Sequence, residues 1–330
     1  MNSGKSAKSR HSYLGRILLF SLSWCLTAQA VIIRDSGDPL ANTSAPTGQY
    51  ADSGWAYQGE YGDFLGTMIA PQYFITAQHI GVSASPTFTS TAAFNGLADV
   101  TYTIDSAANG GQGFWNIAGT DLRVFKINET FSTYAPLYTG SSETGLEMVV
   151  FGRGGPRGAE VELGGDLKGW YHTGPDGLSR WGANTVDGIV GDYLRSDFDD
   201  VLGQNESSLS VGDSGGAVFV NDGGIWKLAG INYGVEKNFD TNATPGDNSE
   251  FEAALFDRGG FYQGSDGDGW SLAPDSAANS YASRISTHVA EIQNIAVVPE
   301  PGSLWLLTLG SLLVLRRRRS SSLFSKRGLM

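Results

Sequence analysis

Three polar residues stand at the ends of short apolar runs, in the chain order His79, Asp121, Ser214. Tyr73-Phe74-Ile75-Thr76-Ala77-Gln78-His79 delivers a histidine after an apolar strand with small residues just before it. Gly119-Thr120-Asp121 opens the alternating run Leu122-Arg123-Val124-Phe125-Lys126-Ile127. An acid so placed can be buried against a partner that needs its charge, as imidazole does. Gly212-Asp213-Ser214-Gly215-Gly216 precedes the apolar run Ala217–Val220. Serine is a weak nucleophile unless a base takes its proton and donors receive the developing oxyanion. Glycines on both sides permit a tight turn in which the N–H groups of Gly212 and Ser214 converge. The chemistry these types allow is acyl transfer through a hydroxyl nucleophile. The other three histidines have weaker settings: His11 near the start, His172 in a loop-like stretch, and His288 on a C-terminal helix.

The elements that must position these residues are strands. Gly is abundant at 45 residues, and short runs rich in Val, Ile, Phe and Tyr recur between Gly, Asn, Asp and Ser clusters. Phe64–Ile69, Tyr73–Ala77, Val100–Ile104, Leu122–Ile127, Met148–Phe151, Ala217–Val220 and Trp226–Ile231 read as strands. Many short strands at this spacing imply a barrel or sandwich rather than alternating β and α units. One helix is expected, Ser280–Ala296, with Ile285, Val289, Ile292 and Ala296 on one face and Val297 and Pro299 ending it.

The two ends differ from the middle. Residues 1–30 hold four bases, no acid, an apolar run from Ile17 to Leu26 and Ala28-Gln29-Ala30, the parts of a signal peptide cleaved after Ala30. Val298-Pro299-Glu300-Pro301-Gly302, the apolar stretch Ser303–Leu315 and Arg316–Arg319 follow one another near the other end. That succession closely resembles the PEP-CTERM sorting tail of Gram-negative bacteria. The resemblance implies transient membrane insertion through the hydrophobic segment and processing by an exosortase-like enzyme, after signal peptidase has acted at the other end. The expected division is therefore 1–30 signal peptide, 31–297 one domain, 298–319 sorting segment and 320–330 basic tail. Val31–Leu315 holds 12 bases against all 34 acids, a net charge of −22, which repels nucleic acid. Cys25, the single cysteine, lies in the signal region, so thiol catalysis and thiolate metal sites are excluded from the domain. Its roughly 265 residues are enough to bury a large core without disulfides. Asp197-Phe198-Asp199-Asp200 and Ser265-Asp266-Gly267-Asp268-Gly269 lack the spaced ligand pattern of a calcium loop and read as solvated acidic loops.

His79, Asp121 and Ser214, in this order and with these flanks, resemble the trypsin-like (chymotrypsin-fold) serine proteases. Thr76-Ala77-Gln78-His79 is similar to that family's histidine motif, Thr120-Asp121-Leu122-Arg123-Val124 to its aspartate strand, and Gly212–Gly216 to its nucleophile motif. Phe64-Leu65-Gly66-Thr67-Met68-Ile69 resembles the strand before the family's histidine, and Ile80 replaces a cysteine of the animal enzymes. The likeness spans about Ser53 to Ala296. It implies an all-β fold of two six-stranded antiparallel barrels with a C-terminal α-helix, and an exported serine endopeptidase acting on protein or peptide substrates without metal or organic cofactor. The triad would be His79, Asp121 and Ser214, with the Gly212 and Ser214 N–H groups as oxyanion hole. Ser208, six residues before the nucleophile, would lie at the base of the primary pocket, and Asn232, Tyr233 and Gly234 would line it. Asp213 would order the oxyanion loop by pairing with a new N-terminal ammonium at Val31, with Arg34 as an alternative positive partner. The competing readings are a silent binding module on the same fold and a structural envelope protein carried by its sorting tail.

Overall fold

The computed structural model describes residues 30–296, apart from 84–85 and 200–202. The signal region up to residue 29, the Pro-Glu-Pro segment and the basic tail lie outside the described residues. No helix among the described residues is long and apolar enough to cross a membrane.

Two seven-stranded sheets carry the fold. The first has the spatial order Val100–Thr103, Thr87–Ser90, Gln58–Tyr61, Phe64–Ala70, Tyr73–Ala77, Leu122–Lys126, Phe114–Asn116. The second runs Arg180–Thr185, Glu147–Gly152, Ala217–Asp222, Ile225–Val235, Asn279–Arg284, Tyr193–Asp197, Gly188–Val190. The pairings within both are antiparallel. Each sheet thus has one strand more than the six expected, because short edge strands extend the pairing.

Alternation explains why these runs become strands. In Leu122–Lys126, Leu122 and Val124 face the core between the two sheets, while Phe125 faces the interior of the first. Tyr73–Ala77 divides in the same way, with Ile75 and Ala77 on the shared side and Phe74 on the other. Both faces are apolar, so these strands read as nearly continuous hydrophobic runs. The first sheet encloses a cluster of aromatic rings. Phe74 stacks on Phe125 with centroids 5.0 Å apart and planes 8° from parallel, and Phe88 lies 4.5 Å from Phe74. Such pairs add about 0.5–1.5 kcal/mol each beyond area burial.

The expected helix is shorter than Ser280–Ala296. Asn279–Arg284 is a strand, paired on one side with Ile225–Val235 and on the other with Tyr193–Asp197. The helix proper is Val289–Ala296, after a 3-10 turn at Ser286–His288. The apolar face survives in that shorter form. Ile285, Ile292 and Ala296 are buried in the core between the sheets, and Val289 packs against it.

A third sheet was not expected. Its order is Arg157–Leu163, Asp166–His172, Phe251–Leu255, Asn238–Asp240, Tyr262–Ser265, Gly269–Leu272. It has its own small core of Val161, Phe239, Leu255, Phe261 and Ala278. His172 therefore ends a strand rather than lying in a loop. Both of its ring nitrogens are shielded with no hydrogen-bond partner among the described residues, and desolvation lowers its pKa to about 4.

Candidate active site

Strand register brings the first two residues together. Tyr73–Ala77 runs antiparallel to Leu122–Lys126 with Ala77 opposite Leu122. One step further, Gln78 meets Asp121, and the Gln78 N–H donates to the Asp121 carbonyl. The Asp121 side chain then lies under the imidazole. Its Oδ1 accepts the His79 backbone N–H at 2.9 Å, and its Oδ2 lies 2.6 Å from His79 Nδ1. A carboxylate only accepts, so Nδ1 carries the proton and Nε2 presents a lone pair. That lone pair faces Ser214 Oγ at 2.7 Å. The Asp121 side chain is 11% exposed and the His79 side chain 38%, so the acid is sheltered while the base is open to solvent.

Ser214 comes from the second sheet, on the loop before Ala217–Asp222. Gly215 holds this loop against the first sheet. Its φ is +78°, and a Cβ there would fall 2.3 Å from Thr76 Oγ1 and 2.7 Å from the Leu65 carbonyl. Only glycine fits both the conformation and the space. Within the loop the N–H groups of Asp213, Gly215 and Gly216 are all spent, on the carbonyls of Ser210, Asn232 and Asp213. Those of Gly212 and Ser214 have no acceptor among the described residues. The two donors expected to receive an oxyanion are the two left free. Gly212 has φ +99°, a turn that suits glycine.

Asp213 is buried beneath the loop. Its Oδ1 accepts Gly154 N–H at 2.8 Å, and its Oδ2 accepts Ser210 N–H at 2.7 Å and Val31 N–H at 3.2 Å. Ala30 to Ile33 are all buried, and Ile32–Ile33 pairs with Ser207–Ser208. Desolvation pushes the Asp213 carboxyl up to about 6, against the opposing pull of these hydrogen bonds and of Arg180. Arg34 turns elsewhere, donating from Nη1 to the Asp199 carbonyl with its guanidinium over the Phe256 ring. Val31 has φ +49°, a conformation a β-branched residue adopts only under strain.

The four residues expected at the substrate pocket take different positions. Ser208 is buried opposite Ile32, its Oγ donating to the Leu209 carbonyl and lying 3.4 Å from Ser280 Oγ. Asn232 is buried, and its Nδ2 donates to the carbonyls of Phe151 and Asp213, so its amide braces the nucleophile loop. Tyr233 is 42% exposed and meets the His79 ring edge-on at 5.8 Å. Gly234 opens onto free space: among the described residues, apart from its chain neighbours, no heavy atom lies within 4 Å of where a Cβ would stand. A cleft of about 630 Å³ lies beside the triad, walled by His79, Ala118, Thr120, Tyr193 and Tyr233.

Sequence reasoning missed Tyr193 and the glycines under Asp213. Tyr193 stacks on Tyr233 at 4.6 Å, brought there because its strand pairs with the distant Asn279–Arg284 as well as with its hairpin partner Gly188–Val190. A Cβ at Gly152 or Gly154 would reach within 3 Å of Asp213. Their signal was the run Gly152-Arg153-Gly154-Gly155, legible only once its neighbour is known.

Residues 49–252, more than half of the chain, match the trypsin family model. The chain belongs to the trypsin family. The matched span contains His79, Asp121 and Ser214, while the closing strand and helix lie beyond it. Residues 297–319 match the PEP-CTERM protein-sorting motif, which marks an exported protein of the Gram-negative cell envelope. Among solved structures, a mutant of human heparin binding protein (CAP37) is similar at 16% identity, over 76% of this chain and 95% of that one, with a TM-score of 0.44. No curated protein sequence matches the chain.

Proposed function

We propose that this trypsin-family chain is an active exported serine endopeptidase. The observation that carries the reading is the continuous relay from Asp121 Oδ2 through His79 to Ser214 Oγ, at 2.6 and 2.7 Å. Ser214 Oγ attacks the scissile carbonyl as its proton passes to His79 Nε2. Asp121 holds the imidazole tautomer and stabilises the imidazolium. The free N–H groups of Gly212 and Ser214 receive the negative charge that develops on the carbonyl oxygen. His79 returns the proton to the leaving amine, and water then releases the acyl group from Ser214 by the same route. A chromogenic ester tests this directly: the processed protein should release one equivalent of alcohol in a burst before the steady state, the sign of an acyl-enzyme. Absence of both burst and turnover would leave the chain a binding module.

Maturation follows from the two ends. Signal peptidase would cut after Ala30, and an exosortase-like enzyme would process the sorting segment after membrane insertion. The freed Val31 ammonium would then occupy the position of the present amide nitrogen, 3.2 Å from Asp213 Oδ2. Cleavage would also remove the Ala30 carbonyl group whose crowding makes φ +49° unfavourable at Val31.

For primary specificity, the neutral Ser208 provides no countercharge for a buried cation, and Gly234 leaves room for a large side chain. Cleavage after bulky apolar residues is expected from a peptide library with mass-spectrometric readout. Dominant cleavage after Arg or Lys would contradict it.

A further inference from the structure

We propose that Asp240, Asp247 and Glu250 hold a calcium ion in the third sheet, at a site separate from the triad. Asp240 ends the strand Asn238–Asp240, and Asp247 and Glu250 lie in the loop that joins it to Phe251–Leu255. One carboxylate oxygen from each lies within 4.8 Å of the others. Clustered surface acids alone would mean little. Here, however, Asp240 is 0% exposed, and its Oδ2 is shielded from solvent with no hydrogen-bond partner among the described residues. None of the three carboxylates forms an ion pair among the described residues. Buried charges are paired or coordinate a metal.

The neighbouring donors fall short of what the charges require. Asp240 Oδ1 accepts from Asn242 N–H at 3.0 Å and also touches the Ser249 hydroxyl. The same Ser249 Oγ lies 2.6 Å from Asp247 Oδ1. A hydroxyl has one proton, so it donates to only one of these two oxygens; Asp247 Oδ1 also accepts Ser249 N–H at 3.0 Å, which leaves Asp240 Oδ2 as the oxygen with no donor among the described residues. Asn242 Nδ2 supports Asp247 Oδ2, and Gly246 N–H supports Glu250 Oε1. These contacts orient the carboxylates toward one another without neutralising them. Asp266, on the adjacent hairpin, also accepts from Gly246 N–H and adds further negative charge beside the loop.

The ligand set names the ion class. It is all oxygen, with no imidazole or thiolate, which selects hard cations over zinc or copper. Calcium accepts irregular carboxylate sets at about 2.3–2.6 Å, whereas magnesium requires near-octahedral geometry at about 2.0–2.1 Å. An irregular loop built on one buried acid suits the former. The acidic stretch Ser265–Gly269, which lacks a calcium-loop pattern by itself, contributes only Asp266 at the periphery.

The test uses Ser214→Ala protein, stripped with chelator, so that autolysis does not interfere and the outcome is independent of the catalytic reading. Calorimetric titration with Ca²⁺ should give one site, with Kd on the order of 0.1–1 mM, the range of extracellular modules. Asp247→Asn and Glu250→Gln should each weaken it at least about tenfold, and Mg²⁺ should bind at least about tenfold more weakly than Ca²⁺. Asp240→Asn should abolish binding while its metal-free melting temperature stays equal to or above that of the parent, because the amide removes a buried charge without changing shape. No heat and no melting shift in about 10 mM Ca²⁺ would overturn the proposal. So would retention of parental affinity in the Asp247 and Glu250 variants, and equal affinity for Mg²⁺ would overturn the assignment to calcium.

Discussion

Ser214→Ala is expected to leave a folded protein whose turnover of casein falls by about 10⁴- to 10⁶-fold. The substitution removes one oxygen from a residue whose only side-chain hydrogen bond among the described residues is to His79 Nε2 at 2.7 Å. The loop around it keeps its shape because it is held by backbone bonds, Gly215 N–H to Asn232 and Asn232 N–H to Gly216. His79→Ala should cost about as much, and the double variant little more, since members of one relay act as a unit. Zymography beside the parent, with melting temperatures to show equal folding, checks the result. Comparable clearing by parent and variant would remove Ser214 from the mechanism.

The second large effect concerns Val31. Protein that begins at Val31 should be active, and protein with one extra glycine before it should lose on the order of 10²- to 5 × 10³-fold in kcat/KM, because breaking a buried charge pair costs about 3–5 kcal/mol. The pH dependence of stability supplies an independent signature. In the uncut chain Asp213 is pushed up to about 6 from an ordinary value of 3.8. Between those values the folded state holds a proton that the unfolded state has lost, so stability falls as pH rises through that window and levels off above it. The loss amounts to about 3 kcal/mol for a shift of this size. A Val31 ammonium would hold the carboxylate charged and cancel the slope. Denaturant melts of the Ser214→Ala protein from pH 4 to 7, uncut and starting at Val31, should therefore diverge as pH rises. Equal activity of the two starts, with parallel stability curves, would mean that something other than the ammonium orders the loop.

The site was legible in the sequence where one strand carried both the position and the chemistry. His79 follows Tyr73–Ala77 and Asp121 precedes Leu122–Lys126, so the Ala77–Leu122 pairing brings them together without further information. Ser214 was legible because its flanking glycines have few other uses in front of a buried strand. The third sheet was not legible. Asp166–His172 pairs with Phe251–Leu255 across about eighty residues of chain, and strands of three or four residues between Gly-rich turns give no period to read. The helix start was misplaced for a related reason. Its apolar face begins at Ile285, but the residues before it are claimed by pairing on both sides, and tertiary pairing overrides local pattern. Asp240 belongs to the same class, since nothing local reveals that its carboxylate is fully buried.

Covalent labelling tests most directly whether Ser214 is an activated nucleophile. Protein beginning at Val31 is treated with a fluorophosphonate, and its intact mass and peptide map are measured. One equivalent of label on Ser214, abolished by His79→Ala, is the predicted result. A folded, processed chain that takes up no label at Ser214 would contradict the account.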